Sequence, residues 1–147
     1  HQFPANLLAV SLPSIGLAVV GLRVPAYAAT PLLIRAWEWL EAAASSLKDM
    51  PSIVLGDLNV STTSRGSRGG AQFSRILANG WHRAVPAGGA TFFGHKGQST
   101  EIDHVLATSH CVVTEAACVK EAGGYSLCGS PNGISDHAAL ACRVSLR

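Results

Sequence analysis

Short apolar runs that each meet a cluster of polar side chains constrain the fold of this chain most strongly. Runs this short, bounded by glycine, proline and polar residues, are typical of β-strands. Side chains at strand ends, where the chain turns into a loop, are well placed to act on a ligand. The three clusters are Gly56-Asp57-Leu58-Asn59, Ile102-Asp103-His104-Val105-Leu106 and Ser135-Asp136-His137.

The overall pattern predicts one domain of mixed α and β structure over residues 1–147. With 48% hydrophobic and 14% charged residues, the chain is too apolar to be disordered. Near-continuous apolarity in the first two strands predicts that both their faces are covered. The predicted helices are 30–48 and 71–78, and the predicted strands are Leu7–Leu12, 15–24, 52–55, 90–95, 102–108, 112–119 and 138–144.

Charge, hydropathy and cysteine usage narrow the class of protein. A formal net charge of +2 is too small to indicate a nucleic-acid binder by itself, although Arg65, Arg68 and Arg75 lie close together in sequence. Pro13 and Gly16 interrupt the apolar N-terminal segment, so we expect no membrane span. The four cysteines form no CxxC pair, and we expect free thiols in the cytoplasm, although a disulfide stays open.

The first cluster, with Asp57 and Asn59, directly follows the predicted buried strand 52–55. Alternation places both side chains on one side if the extended geometry continues through them. The alternative interpretation is a turn, because Gly-Asp-x-Asn also forms turns through bonds between side chain and backbone.

The second cluster places Asp103 inside an apolar strand. A carboxylate in that position is costly unless it is paired, and a histidine is its natural partner. Because His104 points to the opposite face of the strand, His137 is the leading candidate. His104 itself has the pattern of a half-exposed strand histidine.

The third cluster, with Asp136 and His137, immediately precedes the predicted strand 138–144. Neighbouring side chains diverge there, so one would face a metal while the other faces a substrate phosphate. The alternative is a turn aspartate beside an exposed histidine.

Together, Asp57 and Asn59 in GDLN, Asp103 in IDHVL, and Asp136 and His137 in SDH resemble the endonuclease/exonuclease/phosphatase family. That family includes exonuclease III-like and DNase I-like nucleases and inositol-polyphosphate phosphatases. The resemblance spans about residues 15–145 and includes Thr91-Phe92-Phe93. It implies an α+β fold, namely a DNase I-like β-sandwich flanked by helices.

The resemblance implies a metal-dependent phosphodiester hydrolase, and we expect a nuclease acting on DNA. Asp57 would position or deprotonate the attacking water, and Asn59 would help hold the phosphate and the nucleophile. His137, oriented by Asp103, would stabilise charge on the phosphoryl oxygens or act as an acid or base. Asp136 and Asp57 would bind Mg²⁺ or Mn²⁺, since oxygen ligands suit these ions. The alternatives are a phosphatase acting on phospholipids or inositol phosphates and a non-catalytic binding subunit of the same fold.

The chain departs from the family pattern at its start. Family members have a preceding half-domain with a metal-binding Glu, and many carry a His on the strand where this chain has Arg23. We therefore expect a partial sandwich that lacks the N-terminal half-domain, and activity of this chain alone is in question. We also expect two chains to form a homodimer by packing sheet to sheet, because half a sandwich leaves an apolar face uncovered.

Overall fold

A five-stranded sheet with two helices on one face and a two-stranded ribbon on the other forms the core of the protein. The computed structural model describes residues 6–26, 30–62, 68–129 and 133–147. The helices are α1 (Thr30–Leu47) and α2 (Gly70–Ala78). The strands are β1 (Leu7–Leu12), β2 (Leu17–Leu22), β3 (Ser52–Asp57), β4 (Trp81–Ala84), β5 (Phe92–Phe93), β6 (Ser99–Thr100), β7 (Asp103–Thr108), β8 (Cys111–Val119), β9 (Glu121–Ala122), β10 (Tyr125–Ser126) and β11 (Ala139–Leu146).

The order of strands in the large sheet is β1-β2-β3-β7-β4. Strands β2 and β3 are parallel and are joined through α1, whereas the other neighbouring pairs are antiparallel. In the β3–β7 pair, Asp57 lies directly opposite Asp103. The topology therefore brings two of the three polar clusters together where β3 ends and β7 begins.

Helix α1 packs its apolar stripe against one face of this sheet. Trp37, Leu40 and Ala44 are almost completely buried and share a core with Val54 of β3 and Leu106 of β7. Their spacing of three and four residues is the period of a helix that buries one side. The predicted helix 30–48 is thus present, with its end one residue earlier.

The opposite face of the sheet is covered by the ribbon of β8 and β11. Ile53 and Val105 pack there against Cys111 of β8, with Val144 of β11 at the margin. Two layers of sheet with helices on one outer face make a partial sandwich, which confirms the predicted α+β class.

Strand β1 contradicts the prediction that the first two strands are covered on both faces. Leu8 is 66% exposed, and Val10 and Leu12 are also exposed. Leu12 pairs with Leu17, which lies in the core under the ribbon, so the exposed side chains share the face of the sheet opposite the helices.

The structure also bears on several smaller expectations. All four cysteines are free. None of the helices in the described part of the chain combines the length and apolarity needed to cross a membrane. Of the three clustered arginines, Arg65 lies outside the described residues, Arg68 is exposed, and Arg75 forms an ion pair with Glu41 on α1, with 2.6 Å between Arg75 Nε and Glu41 Oε1.

Candidate active site

Asp57 stands at the end of β3 because Gly56 allows two strands to approach closely. Gly56 has a φ of 134°, which L-residues with a side chain rarely adopt. A Cβ atom at this position would overlap the carbonyl oxygen of Leu22 on β2. The glycine in the first cluster therefore serves the packing of the site, a role that the sequence pattern did not reveal.

Asn59 holds the carboxylate of Asp57 from the following turn. Its backbone N–H donates to Asp57 Oδ1 and its Nδ2 donates to Asp57 Oδ2, each at 3.0 Å. The same Nδ2 also donates to the carbonyl oxygen of Val24, and Asn59 has a positive φ of 50°. The strand ends at Asp57, and the backbone then forms a turn, as the alternative interpretation of this cluster predicted. This turn brings the side chains of Asp57 and Asn59 together.

Asp103 and His137 form the contact expected from the sequence. His137 Nδ1 lies 2.9 Å from Asp103 Oδ2 and 3.1 Å from Asp103 Oδ1. Because an ionised carboxylate only accepts hydrogen bonds, Nδ1 carries the proton and donates it to Asp103. Edge contact with the ring of Phe92, 5.2 Å between centroids, also fixes the imidazole. The other nitrogen, Nε2, consequently faces the rest of the site.

That free nitrogen faces Asp57. His137 Nε2 lies 4.0 Å from Asp57 Oδ2, and Arg23 Nε lies 3.6 Å from the same oxygen. Burial raises the pKa of the Asp57 carboxyl above its ordinary value, and the nearby Asp103 raises it further. His137, the backbone N–H of Asn59 and Arg23 act on this pKa in the opposite direction.

Thr91 is a residue of the site to which sequence reasoning assigned no role. It is completely buried, and its Oγ1 accepts hydrogen bonds from the backbone N–H groups of Ile102 at 3.1 Å and Asp103 at 3.0 Å. Its carbonyl oxygen accepts the N–H of Ala138, next to His137, at 2.8 Å. One residue thus fixes the backbone beside both members of the Asp103–His137 pair.

The burial of His104 corrects the interpretation drawn from the sequence. His104 is completely buried rather than half-exposed, because its ring lies under α2 against Phe73, with 4.9 Å between ring centroids. Nε2 lies 2.8 Å from the carbonyl oxygen of Val60, which fixes the loop that follows Asn59. Burial lowers the pKa of the imidazole, so the ring is neutral and its Nε2–H donates to that carbonyl.

Asp136 lies beside the other site residues but stands apart from their hydrogen bonds. Its side chain is exposed and lines the same open cavity of about 580 Å³ as Asp57, Asn59 and His137. Across this cavity lie groups that the sequence analysis did not single out, namely His95, Lys96 and Gln98 on the β5–β6 hairpin. The cavity therefore presents acidic and cationic side chains to one space.

The donor set fits a hard divalent cation in part. One ligand atom each from Asp57, Asp103 and His137 lie within 4.8 Å of one another. Carboxylate oxygens suit Mg²⁺ or Mn²⁺, whereas the imidazole, already bound to Asp103, is a less typical ligand for Mg²⁺. Asp136 lines the cavity but is not one of these three.

Comparison with known proteins agrees with this fold. A family model described as "Endonuclease/Exonuclease/phosphatase family" matches residues 3–137. The fold is similar to the 3′ phosphatase NExo from Neisseria, bound to a product DNA hairpin, with a TM-score of 0.68 and 16% identity over 97% of the chain. It is also similar to the endonuclease domain of TRAS1, a telomere-specific non-LTR retrotransposon, with a TM-score of 0.65 and 12% identity over 98% of the chain.

A third similar structure is an endonuclease/exonuclease/phosphatase from Beutenbergia cavernae, with a TM-score of 0.64 and 20% identity over 95% of the chain. The chain spans 38% of the length of this structure, 67% of NExo and 70% of the TRAS1 domain. No curated protein matches it by sequence. At these identities the similarity describes the fold.

Proposed function

Because the chain belongs to the endonuclease/exonuclease/phosphatase family, we propose that it is a metal-dependent phosphodiester hydrolase that acts on DNA as a nuclease. The arrangement of Asp57, Asp103 and His137 carries this proposal. A histidine held by one carboxylate and facing a second one places an oriented imidazole and a carboxylate beside one reacting centre.

Each side chain then has a role in the attack of water on phosphorus. Asp57 accepts the proton of the attacking water, since its carboxylate faces the cavity in which the phosphate would lie. Asn59, whose N–H groups donate to Asp57 and Val24, orients the base, and Arg23 holds the phosphoryl oxygens. His137, oriented by Asp103, stabilises the charge that develops on those oxygens as the ester P–O bond breaks.

We propose Asp57 and Asp136 as the residues that hold Mg²⁺ or Mn²⁺. Both side chains line the same cavity. An ion bound by these two residues would leave the hydrogen bond between Asp103 and His137 intact. The bound ion would supply further neutralisation of phosphate charge.

A plasmid-nicking assay tests the proposed activity. The wild-type chain should nick DNA with Mg²⁺ or Mn²⁺ and lose this activity in EDTA. Asp57→Ala and His137→Ala should each slow nicking by about 100-fold or more, the range for loss of a general acid or base. Equal rates in both variants and the wild type would identify a contaminating nuclease and contradict the proposal.

A phosphatase is the second candidate, because NExo, whose fold this chain shares, is itself a phosphatase. Release of phosphate from inositol phosphates or phospholipid headgroups, without nicking of DNA, would favour it. Metal-independent DNA binding without hydrolysis would instead favour a binding subunit. The four free cysteines support a reducing, cytoplasmic location within this proposal.

We also propose that two copies of the chain associate through the face of the sheet that the ribbon leaves open. Leu8, Val10 and Leu12 project from this face, and the large sheet continues beneath it. A second sheet packed there would remove these side chains from water, as in a complete sandwich.

A further inference from the structure

A second cleft adjoins the candidate active site. It has a volume of about 410 Å³ and is lined by Phe93, His95, Ile134, Ser135 and Asp136 among its described residues. Two of these, His95 and Asp136, also line the larger cavity that contains Asp57 and His137. The two spaces therefore adjoin, so that a substrate held at the site lies beside the smaller cleft.

Backbone hydrogen bonds fix the walls of this cleft relative to His137. The N–H of Phe93 donates to the carbonyl oxygen of Asp136 at 2.7 Å, which joins the β5–β6 hairpin to the residue before His137. The wall that contains Ile134 and Ser135 is held by the N–H of Ser135, which donates to the carbonyl oxygen of Leu127 at 3.0 Å. The spacing between the cleft and the reacting groups is thus set by the main chain.

The cleft combines an apolar surface with polar groups. Ile134 is 77% exposed, although its backbone is anchored through a hydrogen bond to Ser126. Phe93 forms the other apolar surface, and Lys120 places its Nζ 4.9 Å from the centre of that ring. A single exposed isoleucine is ordinary on a protein surface, but this one lies in a cleft beside an aromatic ring and next to the cavity that contains Asp57 and His137.

We propose that this cleft binds the base of a nucleotide whose phosphate lies in the larger cavity. This inference rests on the proposed function and narrows its substrate to nucleic acid. A base has apolar faces that suit Phe93 and Ile134 and polar edges that can pair with His95 and Ser135. An acyl chain of a phospholipid would instead leave those polar groups without partners.

A pair of ligands that differ only in the base tests the inference without catalysis. Thymidine 5′-monophosphate and 2-deoxyribose 5-phosphate are titrated separately into the full chain with Mg²⁺ and followed by NMR, and phosphorus spectra verify that each stays intact. The nucleotide should bind about tenfold more tightly, within the range for stacking of one base. Equal affinity, or no binding of either ligand, would overturn the inference.

Variants of the cleft residues test whether this cleft is the source of the preference for the nucleotide. Ile134→Ser and Phe93→Leu should each reduce the preference for the nucleotide at least threefold while the affinity for the sugar phosphate is retained. Val85→Ser is the matched control, since Val85 is also a strongly exposed aliphatic residue and does not line the cleft. A preference unchanged in both cleft variants would place the base elsewhere and contradict the inference.

The ligand titrations and the nicking assay can give different answers, so the cleft and the nuclease activity are tested separately. A chain that prefers the nucleotide but does not nick DNA supports the cleft and contradicts the nuclease. A chain that nicks DNA with no preference for the nucleotide supports the nuclease and contradicts the cleft.

Discussion

Thr91 connects the Asp103–His137 pair through its side-chain oxygen and its backbone. In Thr91→Val, the N–H groups of Ile102 and Asp103 lose their acceptor, while the size of the side chain is nearly unchanged. We expect a loss of stability of about 1–3 kcal/mol, the cost of buried N–H groups left without partners. We also expect kcat to fall about tenfold with little change in KM, because a displaced Asp103 orients His137 poorly in the transition state.

The matched variant Thr91→Ser keeps the oxygen and should restore most of kcat. Urea unfolding and the rate of nicking at several substrate concentrations measure the two effects separately. If Thr91→Ser and Thr91→Val were equally slow, the packing of the methyl group rather than the hydrogen bonds would be responsible.

The raised pKa of Asp57 predicts how the stability of the metal-free protein depends on pH. A carboxyl whose pKa is higher in the folded than in the unfolded chain favours folding while it is protonated, and this contribution is lost as pH rises through the folded pKa. In EDTA, the free energy of unfolding of the wild type should therefore fall relative to Asp57→Asn as pH rises from the ordinary value of 3.8 through the raised one.

Urea unfolding of both proteins across this pH range measures the difference. A difference that is constant, or that grows in favour of the wild type at higher pH, would show that Asp57 titrates at or below its ordinary pKa when folded.

At the scale of the elements, the close approach of β2 and β3 depends on Gly56. Gly56→Ala would place a Cβ atom against the carbonyl oxygen of Leu22, a backbone atom that cannot rotate away. We expect β3 to shift, with a loss of about 1–3 kcal/mol beyond that of a control and reduced activity, because Asp57 follows directly.

Gly80→Ala is the control, since Gly80 also has a positive φ, of 91°, but a Cβ atom added there would meet no atom within 4 Å beyond its neighbours in the chain. Thermal unfolding of the two variants separates the steric collision from the strain of a positive φ. Equal losses would show that strain alone accounts for Gly56.

Long elements with a clear period were predictable from the sequence, whereas most of the two-residue strands were not. The stripe of Trp37, Leu40 and Ala44 located α1 because one face of a helix repeats every three or four residues. Strands such as β6 and β9 contain two residues each and carry no period. They are held by hydrogen bonds to partners outside the strand itself, which a local pattern does not contain.

The residues of the candidate site also divide into those that the sequence predicted and one that it did not. Asp57, Asn59, Asp103 and His137 were recognisable because charged and polar side chains interrupt apolar runs. Thr91 was not, since a buried threonine beside two aromatic residues looks like ordinary core. Its hydrogen bonds to Ile102 and Asp103 exist only once the chain has folded.

At the scale of the whole molecule, the open face of the sheet predicts association. We expect light scattering after size exclusion to give twice the mass of one chain at micromolar concentration. Leu8→Lys and Val10→Lys should lower this mass to that of a monomer, because a buried ammonium without a partner is costly. Val85→Lys, on an equally exposed aliphatic residue, should not. A stable, soluble wild-type monomer would contradict the proposal.

The dispersal of the site along the chain also bears on biosynthesis. Asp57 leaves the ribosome first, Asp103 follows, and His137 emerges only after β8 has been made. A nascent polypeptide tethered to messenger RNA therefore holds an incomplete imidazole–carboxylate pair until His137 has been added. On the proposed function, a phosphodiesterase is thereby kept inert beside nucleic acid until its third polar cluster has been translated.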